Sequence, residues 1–420
     1  MITNNIMEVI SYEQAREINW RRDDSEEMPL VRKILDAVKL RGDEAVNFYN
    51  QQFDGITLNR FDVTADEIKQ AYRLVSSETV SAIKSAAKNI RTFATQQMTQ
   101  IKDLNFNQDG VELGHRIVPI NSIGCYVPGG NYPLPSSALM SVIPARVAGV
   151  KNVIVCSPKI QPVTIVAAHI AGADKIYRIG GVQAIGAMAY GTNTVPKVDK
   201  IVGPGNKYVS AAKKEVYGTV GIDFLAGPSE VLIIADEGAN PRYIAADLLA
   251  QAEHDVDARA NLITTSRDLE SKVQEELFLQ LANLKTREIA LQSLKKGKII
   301  LVSSLDQAVL LSNQISPEHL ELQVSNPDSL LDRLTNYGSL FIGEYSAEVF
   351  GDYCSGPNHI LPTSGVANYS GGLSVKDFVK VLTYQRASSN CISELIDVAS
   401  KLANAEGLDG HRNAAEIRKN

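Results

Sequence analysis

From about residue 116 the chain alternates short β-branched runs that end in Gly or Pro with helical stretches. "HRIVPINSIGCYVPGG", "KNVIVCSP", "DKIYRIGG" and "DKIVGPG" are the runs, and "SSALMSVIPARVAGV", "TIVAAHIAGA" and "VQAIGAMAYG" lie between them. A strand followed by a helix joins the next strand in parallel through a crossover, so this texture predicts stacked βαβ units. In a second series, "SEVLIIAD", "ANLITTS", "KIILVSS", "HLELQVSN" and "SLFIGEYS" read as strands, with "NPRYIAADLLAQAEHD" and "PDSLLDRLTNYG" among the helices. The economical fold is α/β with two parallel-sheet lobes. Apolar residues at helical spacing in "SEEMPLVRKILDAVKLRGDEAVNFYNQQFDG", punctuated by Gly42 and Gly55, predict a helical N-terminal region. After the glycine pair of "NYSGGLSVKDF" the pattern returns to helix as a short tail.

With 420 residues, 44% of them hydrophobic, the chain can bury more than one core, and roughly two to three domains are expected. A formal charge of −6 leaves no basic surplus for a phosphate backbone, which argues against a nucleic-acid partner. The opening "MITNNIMEVISYEQ" lacks the pattern of a targeting peptide, and no apolar run approaches a membrane span. A soluble cytoplasmic protein without a membrane partner is therefore expected. Cys125, Cys156, Cys354 and Cys391 stand far apart with no CxxC pair, which predicts reduced thiols in apolar surroundings.

Of the six histidines, His115 and His169 sit at a strand entrance and in an apolar helix and read as structural. His254, His319, His359 and His411 are flanked by Gly, Pro or carboxylates, as in a loop-built site. In "DLLAQAEHD", Gln251 and His254 share a helix face, so their tips can converge on one ion or make a plain surface hydrogen bond. Asp352 in "FGDYCSG" and His411 in "LDGHRN" could complete a two-His, one-Asp, one-amide set that suits Zn²⁺. "SPEHLEL" puts Glu318 beside His319 where a loop enters a strand. The two make a usable acid–base pair, or else a solvated carboxylate and a packed imidazole. The turns "VPGGNYPLPSS" and "VGPGNKYVS" each join a strand to a helix, where backbone N–H groups could meet a phosphate or simply close a tight turn. Neither is the dinucleotide fingerprint, since Tyr208 occupies the third glycine position of "GPGNKY" and no acidic residue follows at the usual distance. Cys125, next to the first turn, invites a thiohemiacetal route to aldehyde oxidation.

Taken together, these segments closely resemble the histidinol dehydrogenase family. "YVPGG", "YRIGGVQAIGAMAYGT", "VDKIVGPGNKYV", "AGPSEVLIIAD", "DLLAQAEHD", "SPEHLEL", "FGDYCSGPNHILPTSG" and "AEGLDGHRNAAEIR" occur in the family's order. The resemblance implies one Zn²⁺ per subunit on Gln251, His254, Asp352 and His411, with Glu318 and His319 as the acid–base pair. Ser229, His359 and Glu406, together with the zinc ligands and that pair, would hold L-histidinol. Tyr126, Gln183 and Asn206 would contact NAD, in Rossmann-like lobes that bind the cofactor atypically. The implied assembly is a homodimer in which the C-terminal tail is swapped, so that Glu406 and His411 serve the partner's site. On this plan, residues 1–24 form a helical segment and 25–125 with 230–373 a first lobe carrying most of the zinc and catalytic residues. Residues 126–229 form the NAD lobe and 374–420 the tail. Departures from the family's pattern, at "NYPLPSS", Pro357 and Gly410, fall beside the implied site rather than in it.

The implied reaction takes L-histidinol through L-histidinal to L-histidine with two NAD⁺ reduced, the last steps of histidine biosynthesis. Glu318 would activate water for aldehyde hydration. The nearest alternative is a related zinc-dependent alcohol dehydrogenase acting on another hydroxyl substrate, although such a substrate would leave His359 and Glu406 without a partner. A zinc hydrolase would use the same metal, Glu and His without NAD, but no HExxH motif is present. A silent zinc-binding protein would leave Glu318 and His319 without a purpose.

Overall fold

The β-branched runs assemble into two separate parallel sheets in a computed structural model that describes residues 5–20, 27–129, 132–225 and 227–419. The first has the order β6-β5-β4-β7-β8, built from β4 (Ser122–Tyr126), β5 (Asn152–Cys156), β6 (Lys175–Tyr177), β7 (Lys200–Val202) and β8 (Gly221–Ile222). Its crossovers are α6 (Pro135–Val147), α7 (Pro162–Ala171), α8 (Gly181–Tyr190) and α9 (Lys207–Val216). Consecutive strand residues sort to opposite faces: Val153 and Val155 pack with α6 and α7, Ile154 and Cys156 with α8 and α9. The chain reverses its direction of travel across the sheet between β4 and β7, and the crevice outside their carboxyl ends is where open α/β sheets take ligands.

The second sheet has the order β1-β11-β10-β9-β12-β13, with β1 (Glu8–Ser11), β9 (Glu230–Ala235), β10 (Arg259–Thr264), β11 (Lys298–Leu301), β12 (His319–Gln323) and β13 (Ser339–Ile342). One face packs on α10 (Pro241–Ala252), α11 (Arg267–Leu281) and α12 (Arg287–Leu294), the other on α1 (Tyr12–Glu17) and α13 (Leu305–Ile315). A third, antiparallel sheet sets β3 (Val111–Pro119) between β2 (Leu104–Gln108) and β14 (Val379–Arg386). Among the described residues no helix is long and apolar enough to cross a membrane.

The expected partition changes in three places. The segment over 1–24 contributes an edge strand as well as a helix, because β1 pairs with β11 and seats Met7 in the core beneath α11. Helices α2 (Met28–Arg41), α3 (Asp43–Asp54), α4 (Ala65–Leu74) and α5 (Ser77–Thr99) pack on the helices of the five-stranded sheet, not on the lobe to which 25–125 was assigned. Both faces of the six-stranded sheet are already covered, so the stripe of Ile34, Leu35 and Val38 finds its partners in Ile185 and Met188. The tail opens with a 3-10 turn over Val375–Phe378 and then β14, and turns α-helical only at α15 (Ser393–Ala405) and α16 (Asp409–Glu416), which pack chiefly on each other. Residues 1–4 and 21–26 of the first segment, Gly130 and Asn131 of the first Gly-rich turn, and Ala226 lie outside the described residues.

The turn after β7 shows why its glycine is required. Gly203 has φ +116°, and a Cβ there would stand 2.1 Å from the Tyr126 carbonyl oxygen. Its N–H donates to Asp223 Oδ2 at 2.8 Å, and its carbonyl accepts from Lys213 Nζ at 3.0 Å, so the strained peptide is held on both sides by a buried ion pair. Gly203→Ala is expected to lower stability by about 2–4 kcal/mol in urea denaturation. An unchanged midpoint would mean that the Tyr126 backbone gives way freely.

Candidate active site

Strand β12 reads His-Leu-Glu-Leu-Gln and lies between β9 and β13. Because strand side chains alternate, Leu320 and Leu322 join the α13 core while His319, Glu321 and Gln323 point the other way. That polar face is dry: the three residues are 3%, 2% and 4% exposed. They lie beneath α10 and a short helix, α14 (Glu348–Tyr353).

Glu318 enters β12 with its Oε2 accepting the Glu230 N–H at 2.8 Å. His319 Nδ1 lies 3.1 Å from the Glu230 carbonyl oxygen, and since a carbonyl only accepts, Nδ1 carries the proton. Nε2 is then the nitrogen at which the ring gains or loses its second proton, and no described group hydrogen-bonds to it. Glu318 Oε2 and Glu348 Oε1 stand 3.7 and 3.6 Å from Nδ1, and Asp352 Oδ1 stands 3.6 Å from Nε2. Burial alone would lower the His319 pKa, but Glu348, Glu318 and Asp352 outweigh it and hold the imidazole well above its ordinary value. Burial pushes Glu318 up to about 8, with His319 and the Glu230 N–H pulling only partly the other way. Burial also drives Glu348 well above the usual carboxylate range. For Asp352 the burial effect is overcome by His319, His359 and His254, and its carboxyl sits below the usual range.

Asn240 caps α10 and Pro241 occupies its first turn. Gln251, in the last turn, is fully buried, and neither its Oε1 nor its Nε2 has a hydrogen-bond partner. His254 lies just beyond the helix end, exposed, yet near enough for its charge to act on Asp352. His359 Nδ1 donates to the Asp352 carbonyl oxygen at 2.8 Å, leaving Nε2 to accept from Ser137 Oγ of α6 at 3.2 Å. Burial lowers the His359 pKa, so this ring is neutral and tied to both lobes. Ser229 is half-buried at the entrance of β9, where its carbonyl accepts the Arg259 N–H. The fold thus brings Glu318, His319, Asp352 and His359 together, with His254 close by and Gln251 on the helix that covers them. Glu406 and His411 are not brought in: both are exposed on the α15–α16 pair within one chain.

Tyr126, Gln183 and Asn206 gather at the carboxyl edge of the five-stranded sheet. Tyr126 ends β4 and its hydroxyl accepts the Gly181 N–H at 3.1 Å. Gln183 is buried in α8, with Nε2 donating to Asn50 Oδ1 and Oε1 unpartnered. Asn206 caps α9 by accepting from the N–H groups of Tyr208 and Val209. Cys125 is fully buried and burial pushes its thiol up to about 12, which removes the thiohemiacetal route. His115 and His169 make single contacts, to the Lys102 carbonyl and the Tyr72 hydroxyl, away from this cluster.

Glu348 is the residue that the sequence reading missed. It stands four before Asp352, the spacing that puts two carboxylates on one helix face, and with His319 and Asp352 it offers ligand atoms within 4.8 Å of one another. This donor group shares only Asp352 with the expected zinc set. Beneath it, Gln323 Nε2 donates to Asp247 Oδ2 and Glu321 Oε2, each at 3.0 Å, and Glu321 Oε1 accepts the Glu348 N–H at 3.0 Å.

A family model described as histidinol dehydrogenase matches residues 19–419. A histidinol dehydrogenase of Methanocaldococcus jannaschii is 46% identical over 100% of this chain and 99% of its own length. That of Clostridium acetobutylicum is 45% identical, covering 97% of this chain and 96% of the relative. A crystal structure of the histidinol dehydrogenase from Elizabethkingia anophelis superposes with a TM-score of 0.94 at 38% identity, covering 99% of this chain and 98% of that one.

Glu318 keeps its proton up to about pH 8 in the fold but only to about 4.5 when unfolded. Its stabilising contribution is therefore full below pH 4.5 and declines as pH rises toward 8. Glu318→Gln lacks this decline, so in the metal-free protein its stability relative to wild type should climb with pH over that window, by on the order of 2 kcal/mol in urea titrations. A difference that stays flat with pH would show that Glu318 ionises normally.

Proposed function

The chain belongs to the histidinol dehydrogenase family of oxidoreductases, and we propose that it oxidises L-histidinol through L-histidinal to L-histidine with zinc and two NAD⁺. The observation that carries the chemistry is His319, whose Nδ1 is held by the Glu230 carbonyl so that proton exchange falls to Nε2 beside Asp352. That is the geometry of a general base for a hydroxyl proton.

Gln251 supports the metal reading. A buried amide with both ends unpartnered is costly, and a cation with bound substrate would relieve it. Gln251, His254 and Asp352 would hold the ion, with His411 supplied by the tail of a second copy in a homodimer. Tyr126, Gln183 and Asn206 would hold the cofactor, and among the described residues the buried Gln183 Oε1 has no hydrogen-bond partner. When bound, zinc would fix the substrate's amine and imidazole and offset the Asp352 charge, and NAD⁺ would accept a hydride in each of the two oxidations.

His319 takes the hydroxyl proton of the alcohol at Nε2. Glu318 in its ionised form removes a proton from the water that adds to the aldehyde carbon while His319 returns its proton to the carbonyl oxygen, giving the gem-diol and leaving His319 free to act again. His319 then takes a proton from that diol in the second oxidation. Ser229, His359 and the partner's Glu406 orient the substrate; a neutral His359 offers its imidazole as a hydrogen-bonding group without adding charge. The dehydrogenase on another alcohol and the zinc hydrolase remain as outcomes of the assay.

With limiting L-histidinol and saturating NAD⁺, two NADH per histidinol are expected, lost on chelation and restored by zinc. One NADH with aldehyde released would indicate an ordinary alcohol dehydrogenase, and turnover without NAD⁺ a hydrolase. Glu318→Gln should lower aldehyde oxidation by roughly 100-fold while sparing alcohol oxidation to within about 10-fold. His319→Asn should slow both steps, and equal, small losses in the two variants would remove the pair from the mechanism.

A further inference from the structure

The polar face of β12 continues below the acid–base pair into residues that touch no expected ligand or substrate group. Glu321 follows His319 by two positions, on the same face, and is 2% exposed. One of its oxygens accepts the backbone N–H of Glu348, the first residue of α14, at 3.0 Å. The other accepts from Gln323, whose amide also donates to Asp247 on α10. Asp247 stands four residues, about one helical turn, before Gln251. This small network therefore reaches both helices that carry the buried donors of the site.

We propose that Glu321 is a positioning residue of the metal site: from β12 it holds the start of α14, and through Gln323 and Asp247 it holds α10. Asp352 and Gln251 are thereby set at fixed positions relative to His319. The inference rests on the zinc reading of the site. Two features support a role beyond filling space. An apolar residue would satisfy a central strand at this position more cheaply than a buried carboxyl. No side chain of α14's own caps it, so among the described residues Glu321 supplies the side-chain acceptor for its first N–H. Groups that orient metal ligands typically alter affinity by about 10- to 100-fold when removed.

The test compares full-length wild type with Glu321→Met and Glu321→Gln. Methionine keeps the volume but accepts nothing, whereas glutamine keeps an acceptor for the Glu348 N–H. Zinc affinity is read by competition with a chromophoric chelator, alongside kcat and the KM for NAD⁺. Glu321→Met should weaken zinc binding and lower kcat, each by about 10-fold or more, with the KM for NAD⁺ unchanged, and Glu321→Gln should recover zinc affinity to within about 3-fold of wild type. Wild-type zinc affinity and kcat in the Met variant, or a Gln variant as impaired as Met, would overturn the inference. Should Glu321→Met not fold, Gln323→Met cuts the link to α10 while leaving the bond to Glu348, and unchanged zinc affinity there would overturn it equally. Wild type in the same titration separates the two levels: a wild type that binds no zinc overturns the zinc reading and this inference with it.

Discussion

Four carboxyl groups, those of Glu318, Glu321, Glu348 and Asp352, are buried around one side of β12 with a single imidazole at the centre. Water would solvate such groups at no cost, and the fold removes it. Every partner in the region is then a response to that loss. Glu318 takes the Glu230 N–H, Glu321 takes the N–H of Glu348, and Asp352 faces the imidazole of His319. Among the described residues Gln251 and His319 Nε2 have no hydrogen-bond partner, and under the proposed function an ion and a reacting group would complete the site there.

The position of this cluster follows from topology. His319, Glu230 and Arg259 all open their strands, and the strands are parallel, so they share the amino edge of the six-stranded sheet. Helix α10 returns antiparallel to β9 and delivers Gln251 to the same edge. Tyr126 and the turn at Gly203 lie at the carboxyl edge of the five-stranded sheet, as does the start of α6, which follows β4. His359 bridges the two, bonding the Asp352 backbone on one side and Ser137 of α6 on the other. The buried His319 and the crevice of the five-stranded sheet, assembled on different sheets, thus meet at one neutral histidine. Cys125 and Cys156, which lie on β4 and β5 near that crevice, stay inert because burial in the same sheet raises their thiol pKa values.

The alternation of runs and helices made both parallel sheets legible, because βαβ crossovers leave a local signature. β1 was hidden in four residues whose pairing partner lies far along the chain, and periodicity cannot see such a partner. The same holds for α2 to α5: their apolar stripes were readable, but which lobe they cover depends on which faces the other helices leave open. Adjacent Glu318 and His319 were visible in "SPEHLEL", yet the two residues that follow on the same face were not. An alternating strand such as His-Leu-Glu-Leu-Gln ordinarily turns its polar side to solvent, and only α10 and α14, packed above it, make that side interior. Glu348 escaped for a related reason, since an i, i+4 pair of acids on a short helix is common at surfaces.

The tail presents the opposite imbalance. Helices α15 and α16 bury Ile396 and Ala403 between them, while Leu395, Val398, Leu402 and Leu408 remain 48%, 48%, 60% and 42% exposed. Two helices of 13 and 8 residues are too short to persist on their own propensity and draw stability from packing an apolar face. Within one chain that face has little to pack on. Under the proposed function the zinc set within one chain would lack its fourth ligand and the substrate site would lack Glu406, and these two residues lie on α16 and at the end of α15. Under the proposed function, docking the tail on a second copy would bury the exposed leucines and deliver His411 in the same step.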